Sequence, residues 1–182
     1  SFPSNKEAKI GLFELNQNKE TKPNKNQLEA LVDLHKTGEF QKALSVIDDL
    51  IKTYDNDPFL FNIKGSCLCE TGDLNNSIIS FEKAITLKPD YAEALFNLGV
   101  AYQKLNQSDM AIETYEKALG IQHAYPAAHH NLGIIYFKKD QINSAIKSFE
   151  WAVAYSPNYS EAYYNLGSAF QKNRQFQEAK KH

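Results

Sequence analysis

Between residues 92 and 121, apolar side chains come in two runs: Leu95, Leu98 and Tyr102, then Ala111, Ile112, Tyr115, Ala118 and Leu119, parted by the polar stretch Asn106-Gln107-Ser108. Steps of three and four residues put each run on one face of a helix, so the pattern predicts a helix, a short turn and a second helix. The pattern recurs along the chain. Gly65, Gly99, Gly133 and Gly167 stand 34 residues apart, and Ala84, Ala118 and Ala152 keep the same step in a second column. Two columns of small residues at one period mark stacked, near-identical units, because helices approach closely only where a side chain is small.

Placing the glycine at position 8 of each unit divides the chain into 24–57, 58–91, 92–125, 126–159 and an incomplete unit over 160–182. Pro89 and Pro157 follow the second helix of their units, and Asp57-Pro58 reads as an N-cap with proline in the first turn. Residues 1–23 read as a Lys- and Asn-rich tail or linker with one apolar cluster, Ile10, Leu12, Phe13 and Leu15, that could occupy a groove. The chain opens at Ser1 without Met and stops part-way through a unit, so a fragment of a longer protein is expected.

Composition narrows the partners. Of 182 residues, 42% are hydrophobic and 23% charged, the balance of an ordinary folded domain. Twenty Lys+Arg against 22 Asp+Glu leave a net charge of -2, without the basic footprint of a nucleic-acid binder. Neither an apolar run of about 18 residues nor a signal-peptide core is present, so no membrane partner is expected. Cys67 and Cys69 diverge on a helix, which rules out a mutual disulfide and suggests plain thiols in a reducing, cytoplasmic setting.

The pattern Leu95-x2-Leu98-Gly99-x2-Tyr102, then Ala111-x3-Tyr115 and Ala118, resembles the tetratricopeptide repeat. Leu132-Gly133, Tyr136, Ala145, Phe149, Ala152 and Pro157 repeat it, as do Tyr163, Leu166-Gly167, Phe170 and Ala179. The unit at 58–91 is looser, and 24–57 keeps so few slots that it reads as a degenerate capping repeat. The resemblance covers residues 24–182 and implies an all-α, right-handed superhelix of antiparallel helix pairs, with each first helix lining a concave groove. Such groove-bearing repeats imply a protein-interaction scaffold that binds an extended peptide or protein segment.

Groove positions carried over from the family fall on Asn97, Asn131 and Asn165, a column of amides able to pair with any peptide backbone. This column resembles the asparagine ladder in the repeat superhelix of O-linked N-acetylglucosamine transferase. Beside it lie Phe96, His130, Phe137 and Tyr164 as side-chain pockets, and Lys104, Lys138 and Lys172 as a basic column that would favour acidic ligands. A helix-surface Asn can equally be solvated or bonded to its neighbour, and the lysines also suit the ends of helices. The clamp by which some family members hold a chaperone's C-terminal carboxylate is absent, since Asn62 and Ser66, or Phe96 and Val100, stand where Lys and Asn belong.

Trp151 occupies a slot that holds Lys83 and Lys117 in the preceding units, which suggests an oligomer or partner contact. His129 and His130 diverge on one helix, and no metal, cofactor or catalytic motif is found, so no enzyme activity is expected within these residues. Two alternatives stand beside the scaffold reading. One is a substrate-recruiting module of a larger enzyme of glycosyltransferase, sulfotransferase or oxygenase type. The other is a self-assembling array, a homo-oligomer built through an uncapped last unit or Trp151.

Overall fold

A computed structural model describes residues 22–179, with side chains to Arg174; the Ile10, Leu12, Phe13, Leu15 cluster lies outside the described residues. Among those residues the chain is helical without strands: α1 Lys25–Lys36, α2 Phe40–Ile51, α3 Pro58–Glu70, α4 Leu74–Leu87, α5 Ala92–Lys104, α6 Ser108–Ile121, α7 Pro126–Lys138, α8 Ile142–Tyr155 and α9 Ser160–Ala179. The chain divides into two compact units, the first ending at Asp57 and the second beginning at Pro58. In the first, α1 opens on a capping box in which Asn24 accepts from the Gln27 amide at 3.0 Å and Gln27 accepts from the Asn24 amide at 2.9 Å. Helix α1 packs on α2, and Leu31, Ala43 and Ile47 are fully buried.

The second unit is an array of helix pairs, in which each helix from α3 to α9 packs on the next and α3 also touches α5. The glycine column acts at the crossing within each pair. A Cβ on Gly65, Gly99 or Gly133 would fall 2.5–2.6 Å from a ring carbon of Phe81, Tyr115 or Phe149, the aromatic of the partner helix. Those three rings are almost completely buried. Ser77, Ala111 and Ala145 sit beneath the same crossing with no exposure, and the Ser77 hydroxyl donates to the Gly65 carbonyl at 2.8 Å. Ala84, Ala118 and Ala152 are equally buried. Cys67 and Cys69 are free and buried, and burial raises the Cys67 thiol to about 11, which keeps it protonated and unreactive.

A third column governs the turns. Gly38, Gly72, Asn106 and Asp140 all have positive φ, at 76°, 87°, 59° and 61°. Each ends a first helix in the left-handed region, and the next amide donates 2.9 Å back to a carbonyl five residues earlier: Glu39 to Leu34, Asp73 to Leu68, Gln107 to Tyr102, Gln141 to Tyr136. Gly, Asn and Asp tolerate that conformation at least cost. The corresponding slot in the last unit holds Arg174, and α9 runs on through it to Ala179. Gly167 accordingly meets nothing within 4 Å.

Candidate functional site

Two polar relays, set two repeat periods apart, join first helices of the array: one links α3 to α5 and the other links α7 to α9. Asn62, 1% exposed, donates its amide to the Glu93 carboxylate and the Tyr91 hydroxyl, each at 3.2 Å. A carboxylate only accepts, so the Asn62 nitrogen must face Glu93 and its oxygen must face away. That oxygen accepts from Asn97 Nδ2 at 3.0 Å. The same four slots recur at the far end of the array as His130, Tyr159, Glu161 and Asn165. Asn165 Nδ2 lies 2.9 Å from His130 Nε2, and Tyr159 Oη lies 3.0 Å from His130 Nδ1. The amide donates, so Nε2 accepts and Nδ1–H donates to the tyrosine, which requires a neutral ring. Burial holds the His130 pKa below its ordinary value, with the Glu161 charge acting in the opposite direction.

Between these polar rungs stands an apolar one. Phe96 replaces Asn62 or His130, Ala127 replaces the glutamate, and the Phe96 ring packs 4.9 Å from Tyr125 and 5.7 Å from Tyr115. Asn131, without a polar neighbour at that slot, turns to Tyr115 and donates to its hydroxyl at 3.1 Å; Tyr115 passes its own proton to Gln103 at 2.9 Å. All three column asparagines thus point Nδ2 inward onto an acceptor. Their Oδ1 atoms make no hydrogen bond among the described residues, and all three side chains are half-buried.

The other sequence-derived positions separate. His130, Tyr164 and Asn165 come together, with Ile134, Ser160 and Glu161, around a pocket of about 420 Å3 between α7 and α9. Tyr164 is 77% exposed. Lys104 and Lys172 are engaged within the chain, 3.1 Å from Glu70 and 2.5 Å from Asp140, and Lys172 also lies 5.0 Å over the Phe137 ring. Lys138 is exposed at the end of α7. Trp151 stands outside the pocket, stacked at 15° on Tyr155 and at 27° on buried His129, with His123 edge-on to all three. Glu93, Glu161, Tyr91 and Tyr159 are not evident from any single column; the signal for them is that the pair Asn62 and Glu93 gives way to Phe96 and Ala127 one period on and returns as His130 and Glu161 two periods on. Among the described residues no group of three or more His, Cys, Asp or Glu could hold a metal ion, and no helix is long and apolar enough to cross a membrane.

Comparison with known proteins agrees with this architecture. A TPR repeat profile matches residues 65–106 and 135–173, and a tetratricopeptide repeat profile matches 92–125. The Protein CTR9 homolog of Arabidopsis thaliana is 34% identical over 83 residues, which is 43% of this chain but only 8% of that protein. The crystal structure of MamA superposes with a TM-score of 0.72 at 25% identity, covering 82% of this chain and 87% of MamA. Cut9, solved in the APC/C hetero-tetramer Cut9-Hcn1, gives 0.73 at 26% identity over 79% of this chain and 29% of its own.

Proposed function

Because the chain belongs to the tetratricopeptide repeat family, we propose that it is a protein-interaction scaffold whose first helices α3, α5, α7 and α9 take up an extended peptide or protein segment. The common orientation of Asn97, Asn131 and Asn165 carries this reading. Each amide is held from behind by a hydrogen bond to a neighbouring helix, so it is ordered before a ligand arrives and keeps an oxygen and one N–H for it. Stacked helices lie about 8–10 Å apart and an extended chain advances about 3.3 Å per residue, so one asparagine would meet every third ligand residue. Phe96 and Tyr164 would receive side chains between those contacts. That Cut9 is solved as part of a hetero-tetramer with Hcn1 supports a protein partner.

The test is a peptide array probed with the wild type and with Asn97→Ala/Asn131→Ala/Asn165→Ala, after circular dichroism shows equal helicity. The triple variant is expected to lose binding across unrelated sequences alike, because the amides read backbone. Identical binding profiles would remove the groove reading. Trp151, 39% exposed on its aromatic stack, is proposed as a contact for a second chain. Light scattering that finds the same monomer for wild type and Trp151→Ala would discard that contact.

A further inference from the structure

The pocket between α7 and α9 is one-sided in charge. Its one charge is negative, the exposed Glu161 carboxylate, and beside it the outward Oδ1 of Asn165 accepts while the Ser160 and Tyr164 hydroxyls can accept or donate. Both His130 nitrogens are already bonded, to Asn165 and Tyr159. The lining includes no Lys or Arg, and Lys172, further along α9, is tied to Asp140. Ile134 and the open face of Tyr164 supply apolar walls. An acidic side chain entering here would meet Glu161 with no cation to offset the repulsion. A basic one would lay its aliphatic stem on Ile134, set its charge beside the Tyr164 ring and donate to Glu161 and Asn165.

We propose that this pocket is a specificity site for an arginine or lysine side chain of the bound segment. The proposal rests on the groove reading above and reverses the preference expected from the lysine column, two of whose members are matched within the chain. At 420 Å3 or so the pocket has room for a guanidinium with its three-methylene stem and several waters. Glu161 and Asn165 are four residues apart on α9 and face the same side, which is the spacing a forked donor needs to engage both.

The experiment uses the full chain and two sets of probes. Nα-acetyl-arginine methylamide and its citrulline, norleucine and glutamate counterparts are titrated by NMR, following amide signals of residues 160–165. Arginine is expected to shift those signals with an affinity about twofold to fivefold above citrulline, the range of an exposed ion pair. The advantage should shrink with added salt and disappear in Glu161→Gln, whose helicity is checked separately. Short peptides bearing one Arg, citrulline or Glu at each position in turn are then compared on the array. Equal binding of arginine and citrulline, preference for glutamate, or an arginine preference that survives in Glu161→Gln would overturn the proposal. Should the amides discriminate while the peptides fail to bind, the pocket stands and the groove reading falls. Peptides that bind through the asparagines without charge preference would leave the groove reading standing and overturn the pocket.

Discussion

At the scale of single residues, glycines that share one column differ in what surrounds them. Gly99 and Gly133 lie under Tyr115 and Phe149, where an added methyl has no room, whereas Gly167 has open space. Gly99→Ala and Gly133→Ala should therefore destabilise the fold by about 1–3 kcal/mol, as overpacking does. Gly167→Ala, inside α9, should stabilise it by about 0.5–1 kcal/mol through helix propensity. Denaturant midpoints of the three variants check this, and a common sign would refute it. The buried imidazoles make a second prediction. His129 and His130 both have folded pKa values below the ordinary 6.5, chiefly through burial. Between the folded and ordinary values the unfolded chain binds more protons, so stability is complete above about 6.5 and declines as pH falls through that window. Melting temperatures measured from neutral to mildly acidic pH should fall, and His130→Asn, the residue of the Asn62 slot, should flatten the slope while leaving the share due to His129.

At the scale of elements, the turn column decides where first helices stop. Gly38 and Gly72 occupy left-handed backbone that a Cβ makes costly, while Asn106 and Asp140 bear that cost themselves. Gly72→Ala should lose about 1 kcal/mol, and Asn106→Gly should gain a few tenths, both read from thermal unfolding. The helix α9 follows the converse logic: Arg174 resists the left-handed region, and the helix continues for 20 residues where α3, α5 and α7 stop after 13. Another local departure gathers His123, His129, Trp151 and Tyr155 where α7 and α8 follow the loop after α6. His123 replaces the proline seen at Pro89 and Pro157, and its ring then completes an aromatic cluster that the other units lack.

At the scale of the second unit, stability accumulates from contacts between neighbours along the array. The middle helices are sandwiched, with Leu98, Ala101, Tyr102, Ala111, Tyr115, Ala128, Leu132 and Ile135 in one buried cluster. By contrast, Tyr163, Tyr164 and Phe170 on α9 are about half or more exposed. Hydrogen exchange should therefore find the slowest amides in α5, α6 and α7 and much faster ones in α9. Uniform protection from α3 to α9 would show a single cooperative block instead. The polar relays also join neighbours: Asn62 with Asn97, and His130 with Asn165, each tie a first helix to the next one.

Periodicity alone specified the family, the helix pairs and the phase of the small residues, because spacing of three and four residues and a constant repeat are properties of the chain as written. The turn column emerged only with the backbone angles: Gly38, Gly72, Asn106 and Asp140 share a slot without sharing a residue type, and the sequence pattern marked only a polar break at Asn106. What spacing could not reveal is which way an amide faces or which charges are already spent. The inward donors of Asn97, Asn131 and Asn165 follow from partners on other helices: Asn62, Tyr115 and His130. The pairing of Lys104 with Glu70 and of Lys172 with Asp140 depends likewise on side chains brought together across units. Hydrogen-bond direction and charge neutralisation are properties of pairs in space, and only the stacking of the helices created those pairs.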